Sequence, residues 1–525
     1  MLGPVEREVM AQLFASIPEE MGAVLVRSAR SPNIRERRDC SAALFSADGE
    51  LIAQAAHIPV HLGAMPEAVE AIRGKARAGD VWILNDPYTG GTHLPDITII
   101  AAVASTGVPP LRLSAPGTSH RAATDPPIAF SVVRAHHADV GGDRPGSMPP
   151  LARLLSEEGV IIPPTRLVGD GLLDESVLDR LIEKMREPDV RRADLAAQLA
   201  AAERGAARWR EMVARHGRIP LENAVSDLLD YAERRARSAL SGLTDGVYEA
   251  EDALEGDGIG DAPLPIRVRV TVSAGGLHLN FAGTSPASRG NVNCPMAVTR
   301  SAALFVARCL MPEDVPTNGG VARCVTVEAP DGCLVNARAP HAVAAGNVET
   351  SQRIADVIMQ ALAKAGADVV AQGQGTMNNL ILGTDRWTYY ETIGGGQGGG
   401  PRGPGPSGVH VGMSNTMNTP AEVLEMELPV RVERYAIRQG SGGVGSGPGG
   451  EGVIREIRVL EACQLSLITE RRRLAPRGLA GGGAGAPGRN LVNGKEVGAK
   501  VAIDLVAGDV VTIETPGGGG YGKAT

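Results

Sequence analysis

Residues 266–281 read IRVRVTVSAGGLHLNF. Ile266, Val268, Val270 and Val272 alternate with Arg267, Arg269 and Thr271, and Leu277, Leu279 and Phe281 alternate with His278 and Asn280. A period of two on either side of Ser-Ala-Gly-Gly predicts an antiparallel hairpin with one buried face. The texture upstream is different. From Leu172 to Leu240 the apolar residues recur at helical spacing, with Leu178, Leu181, Ile182 and Met185 in one stripe and Val225, Leu228, Leu229 and Ala232 in another. Pro188 and Pro220 divide that stretch into about three helices. The change from helical to alternating pattern sets a boundary at 240–245.

Downstream, RSAALFVARCLM (300–311) and VETSQRIADVIMQALAKA (348–365) read as helices, the second burying Ile354, Val357, Ile358 and Leu362, with Thr350 and Ser351 as N-cap residues. The last third is glycine-rich: GGGQGGGPRGPG, QGSGGVGSGPGGEG, GLAGGGAGAPG and TPGGGGYG. Strand-like EGVIREIRVLE lies between these runs, which predicts tight turns in a β-rich part rather than a flexible linker. Toward the other end, residues 5–29 carry Val9, Met10, Leu13, Ile17 and Met21 at helical spacing, with a break expected at Pro18. CSAALFSADGELIAQ (40–54) reads as a hairpin, and residues 80–84 as a short buried strand. The fold class is α+β and multidomain: a mixed α/β N-terminal part (1–170), a helical middle (171–242), an α+β unit (243–400) and a β-rich, glycine-rich C-terminal part (401–525).

The bulk numbers restrict function. The chain has 525 residues, 43% of them hydrophobic and 21% charged, and no run approaches the roughly 20 consecutive apolar residues of a membrane span. A soluble, cytoplasmic protein is expected, since the N-terminus has no basic start, apolar middle and cleavage site. Net charge is −8 and the basic residues do not cluster beyond ERRR (470–473), a solvated loop or a salt-bridged strand end. Nucleic acid and membrane are therefore not the expected partners. Six cysteines without a CxxC pair point to buried free thiols. No GxxxxGK[ST] loop, GxSxG elbow or catalytic-cysteine signature is present, so ATP binding by this chain, and serine or cysteine hydrolase chemistry, are disfavoured.

The strand at 80–84 runs into NDPYTGGTHLPD (85–96), and AHHADVGG follows at 135–142. His93 and Asp96 are three apart with Pro95 between them, so both side chains turn toward one point from an irregular loop. Asp86 approaches the same point across Gly90-Gly91. His136 and His137, being adjacent, project to opposite faces of an extended chain, so one of them is a direct ligand, and Asp139 lies on the His137 side. Two imidazoles with one carboxylate suit Mn, Fe or Zn and leave positions open for water or substrate. His57 and His61 are weaker candidates to line this site, and Glu349 is a candidate supporting or acid/base group.

Taken together, the runs ERRDCSAALF, HIPVHLGAMPEAV, NDPYTGGTHLPDITI, AHHADVGG, PGSMPP, EGVIIPPTRL, GNVETSQR, QGTMNNL, YYETIGGGQGGGP, NTMNTPAEVLE and ETPGGGGYG make nearly the whole chain resemble the hydantoinase B family. That family comprises the B subunit of ATP-dependent N-methylhydantoinases and the matching half of 5-oxoprolinase. The resemblance implies a hetero-oligomer in which a hydantoinase A-type partner binds ATP and activates a small-molecule substrate, while this chain completes hydrolysis of a cyclic amide such as a hydantoin or 5-oxoproline. It implies His93, Asp96 and His136 as metal ligands, with His137 and Asp139 as nearby proton-transfer or supporting groups of catalysis. Related ketone carboxylases (acetone or acetophenone type) give an alternative activity, and a non-catalytic scaffold subunit is the other. One departure from the family is a Pro- and Ser-rich insertion at 109–127, expected as a surface excursion, with His120 as a solvated loop residue.

Overall fold

The computed structural model describes residues 2–56, 58–105, 112–113, 125–169 and 171–524. Most of the 109–127 insertion, with His120, lies outside these residues, as does His57. The chain is α+β and multidomain, with helices distributed among several sheets.

The first sheet has the strand order Leu51–Ala56, Cys40–Ser46, Ala129–His136, Asp96–Val103, Val81–Leu84, Thr165–Gly169, Leu172–Leu173, Arg112–Leu113. Its two central strands are buried along their whole length. Both faces are covered, which is why these strands read as nearly continuous apolar runs. Ile97, Ile99, Val133 and Ala135 share a core with the helices Pro4–Ser28 and Pro188–His216. Ile100, Ala102, Phe130 and Val132 pack instead with Met65, Ala68, Val69 and Ile72 of the helix Met65–Arg73. Each buried Ile, Val, Phe or Met among them contributes roughly 1.5–3 kcal/mol.

Pro18 does not break the first helix, which runs unbroken from Pro4 to Ser28. The proline removes one backbone hydrogen bond, but Phe14, Ile17, Met21 and Leu25 are spaced to bury together on one side, and that packing prevails. Val9, expected on the buried stripe, is 52% exposed. Among the described residues this is the one helix whose length and composition would allow it to cross a membrane, and its apolar side is used here for packing.

The helices Glu175–Ile182, Pro188–His216 and Arg218–Leu240 follow, with Pro188 opening the second and Pro220 in the first turn of the third. The 266–281 hairpin forms as the alternation predicts: Leu264–Ser273 pairs antiparallel with Gly276–Asn280 in a sheet completed by Gly246–Leu254 and Val325–Glu328. Ile266, Val268, Val270 and Val272 are its buried face. Two further sheets contain Thr388–Glu391, Asn379–Gly383, Cys463–Ile468 and Lys500–Leu505, and Val430–Arg438, Gly452–Val459, Val510–Glu514, Arg489–Val492 and Lys495–Val497.

Thr350 and Ser351 do not cap a helix. The backbone already winds from Gly346 in a wider turn, Thr350 donates to the Val292 carbonyl, and Ser351 donates back to Asn347. The glycine runs form tight turns, as where Gly403 N–H donates to the Gly400 carbonyl and Gly482 N–H to the Leu479 carbonyl, and they also pack backbone against backbone with one another. Gly399 donates to Gly519, Gly518 to Gly450, Gly450 to Gln397 and Gly520 to Gly483. A Cβ on Gly396 would lie 2.0 Å from the Gly450 carbonyl oxygen, so only glycine permits this approach. None of the six cysteines is in a disulfide, and Cys309 is exposed while the other five are buried. Arg471 of the ERRR run is fully buried and ion-paired with Asp252 and Asp356 just beyond a strand end.

Candidate metal centre

The register of the two central strands builds the site. Asp96, the first residue of one strand, lies directly opposite His136, the last residue of its antiparallel neighbour. Opposed residues project to the same face, and here it is the face that carries the helix Met65–Arg73. His93 arrives from the loop just before Asp96, where Asp96 N–H donates to the His93 carbonyl. The loop is compact because Gly91 N–H donates to the Asp86 carbonyl, and a Cβ on Gly91 would meet the Asn85 carbonyl oxygen at 2.2 Å. Asp86 does not approach the histidines; its carboxylate accepts from Tyr88 N–H and holds the turn. Arg134, one row down the strand, donates to Thr98 Oγ1 and to the Gly90 carbonyl, fastening the loop to the sheet.

The result is a triangle of atoms able to ligate a metal ion. His93 Nε2, His136 Nδ1 and Asp96 Oδ1 are each 3.1 Å from the other two. All three residues are buried, with exposures of 0–2%. Protons do not explain the triangle fully: if both imidazole nitrogens donate to the carboxylate, their own hydrogens face each other across 3.1 Å. A divalent cation with ligand bonds of about 2.0–2.2 Å reconciles all three edges, and the donor set of two imidazoles and a carboxylate is a familiar one for Zn, Fe and Mn. The residues present therefore fit a metal ion.

Supporting contacts orient these side chains. The other oxygen of Asp96, Oδ2, accepts from Thr92 Oγ1 at 2.5 Å and faces His61 Nε2 at 3.4 Å, while Ser41 meets His61 Nδ1 at 2.9 Å. Tyr390, from the third sheet, stacks on the His136 ring with centroids 4.6 Å apart and planes 16° apart. The Tyr390 hydroxyl donates to Asn379 Oδ1, whose amide donates to Glu349. Glu349 is thus reached through two intervening side chains. The His136 backbone N–H donates to the Asp39 carbonyl, placing Asp39 at the adjacent strand start.

Burial opposes ionisation of Asp96, but the charges of His93 and His61 and hydrogen bonds from His136 and His61 bring it well below the usual carboxylate range. Burial, against the pull of Asp96, lowers His136 to about 4, so its imidazole is neutral and able to ligate. Burial first, and then the charge of Asp96, pushes Asp39 up to about 7. Burial and then Glu470 raise Glu349 to about 8.

Of the residues singled out in the sequence, His93, Asp96 and His136 come together, and His61 joins them although the intervening proline excludes a regular helix. His137 and Asp139 do not reach the triangle. His137 turns to the opposite face, where Nε2 meets Gln198 Oε1 at 2.8 Å, and Asp139 accepts from Gly141 N–H, Gly146 N–H and Arg186. Sequence reasoning missed Arg37, Asp39 and Tyr390. Their signal lay in the ERRDC and YYETIGGG runs, where a charged or aromatic residue abuts an apolar strand.

A family model described as Hydantoinase B/oxoprolinase matches residues 3–524. The 5-oxoprolinase 1 of Arabidopsis thaliana is 37% identical over 99% of this chain, and the chain spans 42% of that relative's length. The crystal structure of the ATP-dependent caprolactamase from Pseudomonas jessenii superposes with a TM-score of 0.87 at 26% identity, covering 100% of this chain and 92% of that one. A nucleotide-free acetone carboxylase shares the fold with a TM-score of 0.86 at 16% identity, covering 99% of this chain and 76% of that one. With a match that takes in all but a few terminal residues, the chain belongs to the Hydantoinase B/oxoprolinase family.

Proposed function

We propose that this chain is the metal-bearing B subunit of a cytoplasmic, ATP-dependent cyclic amide hydrolase of the hydantoinase/5-oxoprolinase type, working with an A-type partner that carries the ATP site. The observation that carries the proposal is the buried triangle of His93 Nε2, His136 Nδ1 and Asp96 Oδ1 with equal 3.1 Å edges. Similarity to proteins named for lactam hydrolysis supports the substrate class.

His93, Asp96 and His136 would hold a Mn, Zn or Fe ion. Bound there, such an ion supplies Lewis-acid polarisation of a carbonyl or lowers the pKa of water. The chain's own residues do the remaining positioning. Thr92 and His61 occupy Asp96 Oδ2 and so turn Oδ1 inward, Tyr390 fixes the plane of the His136 ring, and burial of all three ligands excludes bulk water. His137 and Asp139 act in this reading by holding Gln198 and the 139–147 loop in place.

The test is reconstitution with an A-type partner and assay of ATP-coupled ring opening of 5-oxoproline, hydantoin and ε-caprolactam. Turnover lost in His136→Ala with the complex still assembled is the expected result. Turnover unchanged in that variant would sink the reading and leave the scaffold role, while bicarbonate-dependent ATP use with ketones would make the protein a carboxylase subunit.

A further inference from the structure

Arg37 is a second chemical feature close to the triangle, and none of the roles assigned above uses it. Its side chain is fully buried. The guanidinium carbon lies 5.6 Å from the centre of the Tyr390 ring, the same ring that stacks on His136. Nη2 donates to Thr392 Oγ1 at 2.6 Å and Thr416 Oγ1 at 3.1 Å, which uses both of its hydrogens. Nε and Nη1 are buried and have no partner among the described residues. No carboxylate of the described residues lies within ion-pairing distance of Arg37. Glu391, adjacent in sequence to Thr392, is ion-paired with Arg455 at 3.1 Å.

A guanidinium has five N–H donors and does not lose its proton, so three charged donors here face no acceptor. Leaving a charged donor buried and unpaired is among the costliest arrangements in a protein interior. The site is also built around it. Met417 N–H donates to the Arg37 carbonyl, His410 Nε2 meets Thr416 Oγ1 at 3.3 Å, and Thr392 and Thr416 contact each other at 2.5 Å. Segments some 350 residues away in sequence thus hold one cation rigidly beside the triangle while leaving part of it free.

We propose that Arg37 is an oxyanion anchor: its free Nε and Nη1 hydrogens bind a carboxylate or phosphoryl group of the molecule whose reacting carbonyl sits at the triangle. This deepens the hydrolase reading by naming the substrate class as anionic. The anchor itself is tested separately from the metal.

The experiment is calorimetric titration of the purified full-length chain with 5-oxoproline, with 2-pyrrolidinone as the same ring without its carboxylate, and with inorganic phosphate. The titrations are made on wild type, Arg37→Met and Arg37→Lys, with metal content measured in each. The expected result is one-to-one binding of 5-oxoproline at least tenfold tighter than 2-pyrrolidinone, or one-to-one binding of phosphate. The first outcome assigns the anchor to a carboxylate and the second to a phosphoryl group. Either is weakened at least tenfold in Arg37→Met and less in Arg37→Lys, which keeps the charge should the neutral variant not fold. The proposal is overturned if neither oxyanion binds wild type, or if both variants bind as wild type does. Asp96→Asn separates the readings: loss of metal with oxyanion binding retained leaves the anchor standing, and loss of oxyanion binding only in the Arg37 variants leaves the metal standing.

Discussion

Asp139→Ala distinguishes a residue that reacts from one that holds a loop. In the structure Asp139 is fully buried, and its two oxygens accept from Gly141 N–H at 2.7 Å, Gly146 N–H at 2.8 Å and Arg186 Nη1 at 3.2 Å. Alanine leaves two buried amides without acceptors, at roughly 1–3 kcal/mol each, and separates a largely buried ion pair. Breaking the pair alone costs about 3–5 kcal/mol, so the expected loss is at least that. Equilibrium urea unfolding should show a lower midpoint with a similar slope, and amide exchange should speed up across 139–147. Metal per chain should stay at the wild-type value, because no contact of Asp139 reaches His93, Asp96 or His136. A variant with wild-type stability and full metal content but turnover reduced more than about 100-fold would refute this reasoning and make Asp139 a group that transfers protons to substrate.

Three other outcomes follow from the geometry. Glu349 is raised to about 8 by burial and then by Glu470; an acid with a raised folded-state pKa is stabilising below its unfolded value and loses that contribution as pH rises through the folded one. Between pH 5.5 and 8.5 the wild type should therefore lose on the order of 3 kcal/mol that Glu349→Gln does not, read from urea midpoints at the two pH values; equal slopes would contradict the assignment. Tyr390→Ala removes the ring stacked on His136 and should weaken metal affinity about 10–100-fold, whereas Tyr390→Phe keeps the ring and should stay within about threefold, as measured by competition with a chelating dye. Gly91→Ala puts a Cβ 2.2 Å from the Asn85 carbonyl oxygen and must displace the loop that carries His93, so metal content should fall although no ligand is changed; undiminished metal would show that the loop does not set the site.

Local pattern carried far into the fold where one element sufficed. The alternation at 266–281 gave its hairpin, Pro188 and Pro220 gave the helix starts, and the His93–Pro95–Asp96 spacing brought two side chains to one point. What depended on contacts between distant segments was not legible. Nothing near Asp96 announces that it pairs in register with His136, since that is decided by how two strands forty residues apart align. Tyr390 reaches the site through a different sheet, and Arg37 is held by Thr392, Thr416 and Met417. Pro18 failed as a helix break because Phe14, Ile17, Met21 and Leu25 outweigh one missing hydrogen bond. Thr350 and Ser351 have the chemistry of caps, but Gly346 must approach the Asn293 carbonyl, and the helix begins there instead. The glycine runs gave no periodicity to read, because many of these glycines pack against backbone that belongs to another run.

The central claim is that His93, Asp96 and His136 hold one divalent cation. Elemental analysis of the freshly purified chain, wild type beside His93→Ala and Asp96→Ala, tests it most directly. About one Mn, Zn or Fe per wild-type chain is expected, with loss of that metal in both folded variants. Wild-type protein without metal that also fails to take up any of the three ions, or variants that retain it in full, would contradict it.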